Sequence, residues 1–212
     1  MKRFITITLF FAFVLLSTQA QKSFSLKTGD LLFQVGGDSD FNDAIKAVTD
    51  GAENLPFSHV GVVYVEDGNF YVLEAESAGV VKTKLDDFLN DSQKYNGKPM
   101  VVVARMKRKY RDAIPPAIEK IQSLMGRPYD SFFTPNDDKY YCSELVYECF
   151  TKNGKAIFES KAMTFKDNSG NFSPLWIEHF EKHNQPIPEG EQGTNPGDMS
   201  KSDKLRFVYR YF

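Results

Sequence analysis

Two strand-like runs, Phe57–Val65 and Asn69–Glu76, are separated by little more than Asp67-Gly68. That dipeptide is the strongest short-range signal for a two-residue hairpin turn. The turn sets a register in which Glu66 pairs with Asn69, Gly61 falls opposite Glu74, and His59 falls opposite Glu76. Side chains alternate across a strand, so His59, Gly61, Glu74 and Glu76 share one face, with Glu74 the diagonal neighbour of His59. Gly61 is expected to leave open space between them. The solvated face of an ordinary antiparallel hairpin also carries polar residues. A histidine near two acids therefore needs a further partner before it signals chemistry.

Other strand-like runs are Asp30–Val35, Gly79–Lys84, Met100–Met106 and Leu205–Phe212. They are rich in Val, Phe and Tyr and are bounded by Gly, Asp, Asn or Pro. Helical patterns cover Asp40–Thr49, Leu85–Asp91, Asp112–Met125, Cys142–Lys152 and Pro174–His183. Pro115 and Pro116 fall in a first turn, where proline is tolerated, and Gly126 stops that helix. Gln185–Asp203, full of Gly, Pro, Asn and Ser, reads as a loop. Strands clustered centrally with helices around them give an α+β fold, an antiparallel sheet packed against helices. With 42% hydrophobic and 25% charged residues the chain has a globular composition, which excludes disorder and collagen. A net charge of −2 offers no basic surface for nucleic acid.

The N-terminus has the pattern of a secretory leader. Lys2 and Arg3 precede an apolar run, Ile5–Leu16, and Thr18 and Ala20 supply the small residues of a cleavage site. The run is shorter than the ~20 residues of a bilayer span. The expectation is a leader over 1–20, one mature domain over 21–212, and an exported, periplasmic or secreted protein with no stable membrane insertion.

Export would place Cys142 and Cys149 where disulfides form. Yet seven residues of helix separate them by ~10.5 Å, beyond disulfide reach. Both are expected to be free thiols. Cys149, beside Leu145, Val146 and Phe150, reads as a small core hydrophobe. Cys142 starts its helix, where the backbone N–H groups and dipole favour a thiolate. A buried structural thiol would fit that position too. A thiol at a helix N-terminus, a strand histidine and a carboxylate behind it form a nucleophile, base and orienter set.

Five segments, in order, resemble the permuted papain-like amidases of the YiiX and YaeF type, relatives of the NlpC cell-wall peptidases. They are GDLLFQ at 29–34, FSHVGVV at 57–63, VLEA at 72–75, GRPYD at 126–130 and YYCSELVY at 140–147. The resemblance implies a circularly permuted papain-like (NlpC-type) fold, with His before Cys in the chain. It implies Cys142 as nucleophile, His59 as base and Glu74, rather than Glu76, as the third polar residue. It makes Tyr140 or Tyr141 a candidate for oxyanion or substrate binding. It implies hydrolysis of a peptide or amide substrate, cell-wall peptides or their fragments among them, with no cofactor.

Three other readings compete. His179 and His183 share a helical face at a spacing that can hold zinc, but Phe180 stands where a metalloprotease carries glutamate, and no third ligand is apparent; the expectation is no metal. A lipid acyltransferase or phospholipase of the same fold would carry a further histidine after the nucleophile, where this chain has Ser143-Glu144-Leu145. A peptide- or lipid-binding module without turnover is the third.

Overall fold

Asp67 and Gly68 both take positive φ, 49° and 78°, as a type I′ turn requires. The strands on either side pair antiparallel in the register the turn dictates, from Glu66 with Asn69 to Val62 with Leu73. The computed structural model describes residues 24–134 and 138–212, so the expected leader over 1–20 lies outside the described residues. The main elements are β1 (Leu31–Gln34), α1 (Asp40–Val48), β2 (His59–Glu66), β3 (Asn69–Glu76), β4 (Gly79–Lys84), α2 (Leu85–Asn90), β5 (Val101–Met106), α3 (Ile114–Ser123), α4 (Cys142–Cys149), α5 (Pro174–Lys182), α6 (Pro196–Ser200) and β6 (Leu205–Arg210).

The strands form one antiparallel sheet in the order β6-β5-β1-β2-β3-β4. Its central strands are apolar on both sides because both sides are covered. On one face Leu31, Phe33, Val62, Leu73, Val102 and Ala104 are buried with Ala117 and Ile121 of α3 and with Leu145, Val146 and Cys149 of α4. On the other, Leu32, Val63, Val72, Val101 and Val103 pack with Phe88 of α2. A third cluster joins α1 and α5 to the intervening loops through Ala44, Phe133, Tyr141, Met163, Phe165, Trp176 and Phe180. The α+β reading, an antiparallel sheet packed against helices, therefore holds.

Three expected boundaries are corrected. The helix expected over Cys142–Lys152 stops at Cys149. Thr151–Lys152 then pairs with Lys155–Ala156 around Asn153-Gly154, both at positive φ, a local turn that overrides helix propensity. The helix expected from Asp112 starts at Ile114, after a 3-10 segment over Arg108–Ala113. The loop expected over Gln185–Asp203 contains α6 and a short pairing of Gln192–Gly193 with Lys161–Ala162. Asn195 caps α6 by accepting the Asp198 N–H at 2.7 Å, and Pro196 occupies the first turn, a start signal legible in Asn-Pro-Gly-Asp.

Asp30, 1% exposed, lies immediately before β1. Its carboxylate takes a bidentate pair from Arg105 of β5 at 2.6 and 2.7 Å and the Lys27 N–H at 2.8 Å. Removing one partner of a buried ion pair leaves an uncompensated charge. Arg105→Ala is expected to lower stability in urea unfolding by about 3 kcal/mol, and Asp30→Asn on that background to recover part of the loss.

Candidate active site

His59 begins β2, where it pairs with Gln34 of β1. Its Nε2 lies 2.6 Å from Oε2 of Glu74, and the two side chains are 16% and 6% exposed. The diagonal relation read from the turn is thus a direct hydrogen bond. Glu76 does something else. It accepts hydrogen bonds from Ser77 Oγ at 2.8 Å and the Ala78 N–H at 3.1 Å, closing the turn into β4. Of the two acids, Glu74 is the one hydrogen-bonded to His59.

Gly61 does not leave open space between the two. A Cβ there would lie 2.3 Å from Val72 Cγ1, 3.3 Å from Phe88 Cε2 and 3.4 Å from Glu74 Cβ. The glycine lets these neighbours close in, and the His59 ring sits 5.7 Å from that of Phe88. The carboxylate is therefore held by packing as well as by its hydrogen bond.

Cys142 is the first residue of α4, and Tyr141 before it has extended backbone with no side-chain cap. Ser39, Ser173 and Asn195 cap their helices by accepting an N–H. At α4 the first-turn N–H groups lack such a cap, and with the helix dipole they suit an incoming anion. Both cysteines are buried free thiols. Burial pushes the Cys149 thiol up to about 12, as befits the inert core position expected for it.

Burial alone would disfavour a charged His59. Hydrogen bonding to Cys142 and to Glu74, with Coulombic attraction to both, outweighs it and raises the imidazole from 6.5 to about 10. The structure thus brings Cys142, His59 and Glu74 together, a closeness that no spacing in the chain could supply. The cleft bounded by His59, Glu74, Glu76, Ser77, Asp91 and Tyr129 encloses about 530 Å³.

Of the two expected tyrosines, Tyr141 faces the space beside Cys142. Its hydroxyl accepts the Thr194 N–H at 3.0 Å, and burial lifts its phenol to about 12, keeping it a neutral O–H. Tyr140 packs against the main core instead, and its backbone bridges to the 128–130 segment. The tyrosine not anticipated as a site residue is Tyr129, which lines the spaces on both sides of the Cys–His pair. Burial, then the charges of Cys142 and Asp130, hold its phenol well above the usual range. Its signal was the GRPYD segment. That segment docks on β4 through Val80 N–H to Arg127 O and Gly126 N–H to Val80 O, each 2.8 Å. Gly79, at φ 102°, permits the approach, since a Cβ would meet Arg127 O at 2.3 Å. His179 Nε2 bonds the Ser131 carbonyl and His183 Nδ1 bonds that of His179. Among the described residues no three His, Cys, Asp or Glu side chains are grouped to hold a metal.

The His59 charge is testable directly. Its imidazole should titrate near 10 by NMR, and at lower pH in Cys142→Ala and in Glu74→Gln. With both partners removed only burial remains, so the double variant should fall below 6.5. The associated stability should be full below about pH 6.5 and vanish as pH rises through about 10, because the folded form holds this proton more tightly.

With this geometry in view, the likeness to known proteins becomes specific. The chain is 27% identical over 190 residues to the uncharacterized protein YiiX of Escherichia coli K12, covering 86% of this chain and 85% of that protein. A crystal structure titled metalloprotein yiiX, from Escherichia coli O157:H7, superposes with a TM-score of 0.69 at 26% identity, covering 87% of this chain and 97% of that one. The sequence model described as "Permuted papain-like amidase enzyme, YaeF/YiiX, C92 family" matches residues 25–209. The chain belongs to the YaeF/YiiX family of permuted papain-like amidases.

Proposed function

We propose that this chain is an exported cysteine amidase that hydrolyses amide bonds through Cys142, His59 and Glu74, with cell-wall peptides or their fragments as substrates. The observation that carries the reading is one imidazole held between a thiol and a carboxylate at the start of a central strand. Family membership supports amide chemistry, and the leader-like N-terminus supports export.

In this mechanism the thiolate of Cys142 attacks the carbonyl carbon. The resulting oxyanion is met by N–H groups of the first turn of α4. His59, protonated at neutral pH, gives its proton to the departing amine as the C–N bond breaks, leaving a thioester on Sγ. It then takes a proton from water. The hydroxide equivalent attacks the thioester, releases the carboxylic acid and restores the thiolate and the protonated imidazole. Glu74, bonded to Nε2, fixes the ring orientation and stabilises the cation, the orienter's role in such sets.

Assays on murein peptides and on lipid esters separate this reading from acyl transfer on lipids. The amidase is expected to turn over the peptides, and release of acyl groups from lipid esters alone would overturn the assignment. Cys142→Ala should abolish turnover while circular dichroism stays unchanged, and His59→Ala should cost about 10²–10⁴-fold, the usual contribution of a general acid–base. Glu74→Gln should cost less than His59→Ala, and Glu76→Gln should stay within about twofold, as for an ordinary surface change. The rate should fall on the alkaline side as His59 loses its proton around pH 10.

A further inference from the structure

The Cys–His pair lies between two unlike spaces. The larger, about 530 Å³, is bounded by His59 and Glu74 with hydroxyl, amide and carboxylate groups around them. The other, about 50 Å³, is bounded by Cys142 and Ser143. Ile45, Ser58 and Tyr129 line both. The small space is walled by Val48, Phe133, Met163, Phe165 and Trp176, and among the described residues no carboxylate, ammonium, guanidinium or imidazole lines it.

Resting on the cysteine mechanism proposed above, we infer that this small cavity is the acyl-side specificity pocket. It takes a compact, uncharged group of one or two heavy atoms. The sides follow from the chemistry. The departing amine receives its proton from His59, so it leaves through the cleft that His59 bounds. The acyl carbon is bonded to Sγ of Cys142, so its substituent enters the space that Cys142 bounds. The size follows from volume. A cavity of ~150 Å³ accepts benzene, and this one has about a third of that room. A methyl or ethyl substituent fits, an alanyl-like residue among them. A charged side chain would be desolvated without a counter-charge.

Much of the pocket wall comes from chain outside the motif segments. Thr194 donates from its N–H to the Tyr141 hydroxyl and from Oγ1 to Ser143 Oγ at 2.9 Å, fastening the 192–196 segment to the start of α4. Gly193 lies against Met163, whose Sδ would be 2.3 Å from a Cβ there, so Met163 is pressed into the wall.

Trp176 is the only tryptophan in the chain, and its fluorescence reports an occupant. In the mature Cys142→Ala protein, which cannot turn over, propionamide should shift the emission saturably, whereas hexanamide and benzamide should not. Met163→Ala should admit hexanamide. Val48→Leu, which fills the space instead of opening it, should move selectivity toward acetamide and keeps the test decisive if Met163→Ala unfolds. Equal response to all amides, or to none, overturns the pocket. The second arm is acylation of Cys142 in the unsubstituted protein by p-nitrophenyl acetate, propionate and hexanoate, read by mass spectrometry. Propionate should exceed hexanoate by at least about tenfold, as a methylene-sized misfit commands. Acylation indifferent to chain length overturns the pocket and leaves the mechanism standing. Size-selective fluorescence with no acylation overturns the mechanism and, with it, the acyl-side assignment.

Discussion

The pairing register of β2 with β3 is the constraint on which the candidate site depends. A slip of one residue would carry His59 and Glu74 to opposite sides of the sheet, because side-chain direction in a strand has a period of two. Asp67 and Gly68 forbid the slip by requiring two consecutive left-handed residues at one place. The packing enforces the same register independently. Val62 and Leu73 belong to one core and Val63 and Val72 to the other, so a slipped hairpin would misplace both. A 2.6 Å hydrogen bond between His59 and Glu74 is the local outcome of apolar packing spread over the whole sheet.

Holding a cation at the edge of such a core is costly unless its partners are fixed. His59 meets that condition from two directions. Glu74 comes from the neighbouring strand and Cys142 from a helix on the opposite layer, and both raise the imidazole against the effect of burial. Gly61 contributes by having no side chain, which lets Val72, Phe88 and Glu74 approach closely. The positions of His59 and Glu74 are thus set within one hairpin, while Cys142 arrives through tertiary packing of α4 against β2 and β3. Two separately specified parts must meet, so α4 has to be anchored at its first turn. Thr194 does this through Tyr141 and Ser143.

These dependencies explain what could be read from the chain in advance. The hairpin, the shared face of His59 and Glu74, the helix starting at Cys142 and the free state of both thiols all follow from local rules with short reach: turn chemistry, strand alternation and helix rise. The errors lie where local signals compete or where packing decides. The helix from Cys142 was expected to run on to Lys152, but Asn153-Gly154 turned the chain into a small hairpin. The Gly/Pro-rich stretch after Gln185 hid α6, although Asn195-Pro196 marks its start. Gly61 was read as a gap when its neighbours fill the space. Tyr129 could not be separated from a plain turn residue, because its importance comes from lying between two spaces that only the folded chain creates.

The stretch after Phe150 lines the candidate site without a local signature. Phe165, Trp176 and Phe180 stack edge-on at 5.2 to 5.8 Å around the ring of Phe165, and Phe133 and Tyr141 join them across the chain. Aromatic edge-to-face packing is directional, so this cluster forms a stiff wall and not a pliable greasy patch. A stiff, nearly apolar wall on the thiol side and a roomy polar cleft on the histidine side make the candidate site asymmetric across the bond it would cut. On the proposed chemistry that asymmetry has a physical use. The thioester stays on the dry side while the amine departs into the wet one, and water for the second step enters from the side where His59 can take its proton. No motif encodes such an arrangement, because it arises from a sheet, a helix start and a distant aromatic segment converging around one sulfur atom.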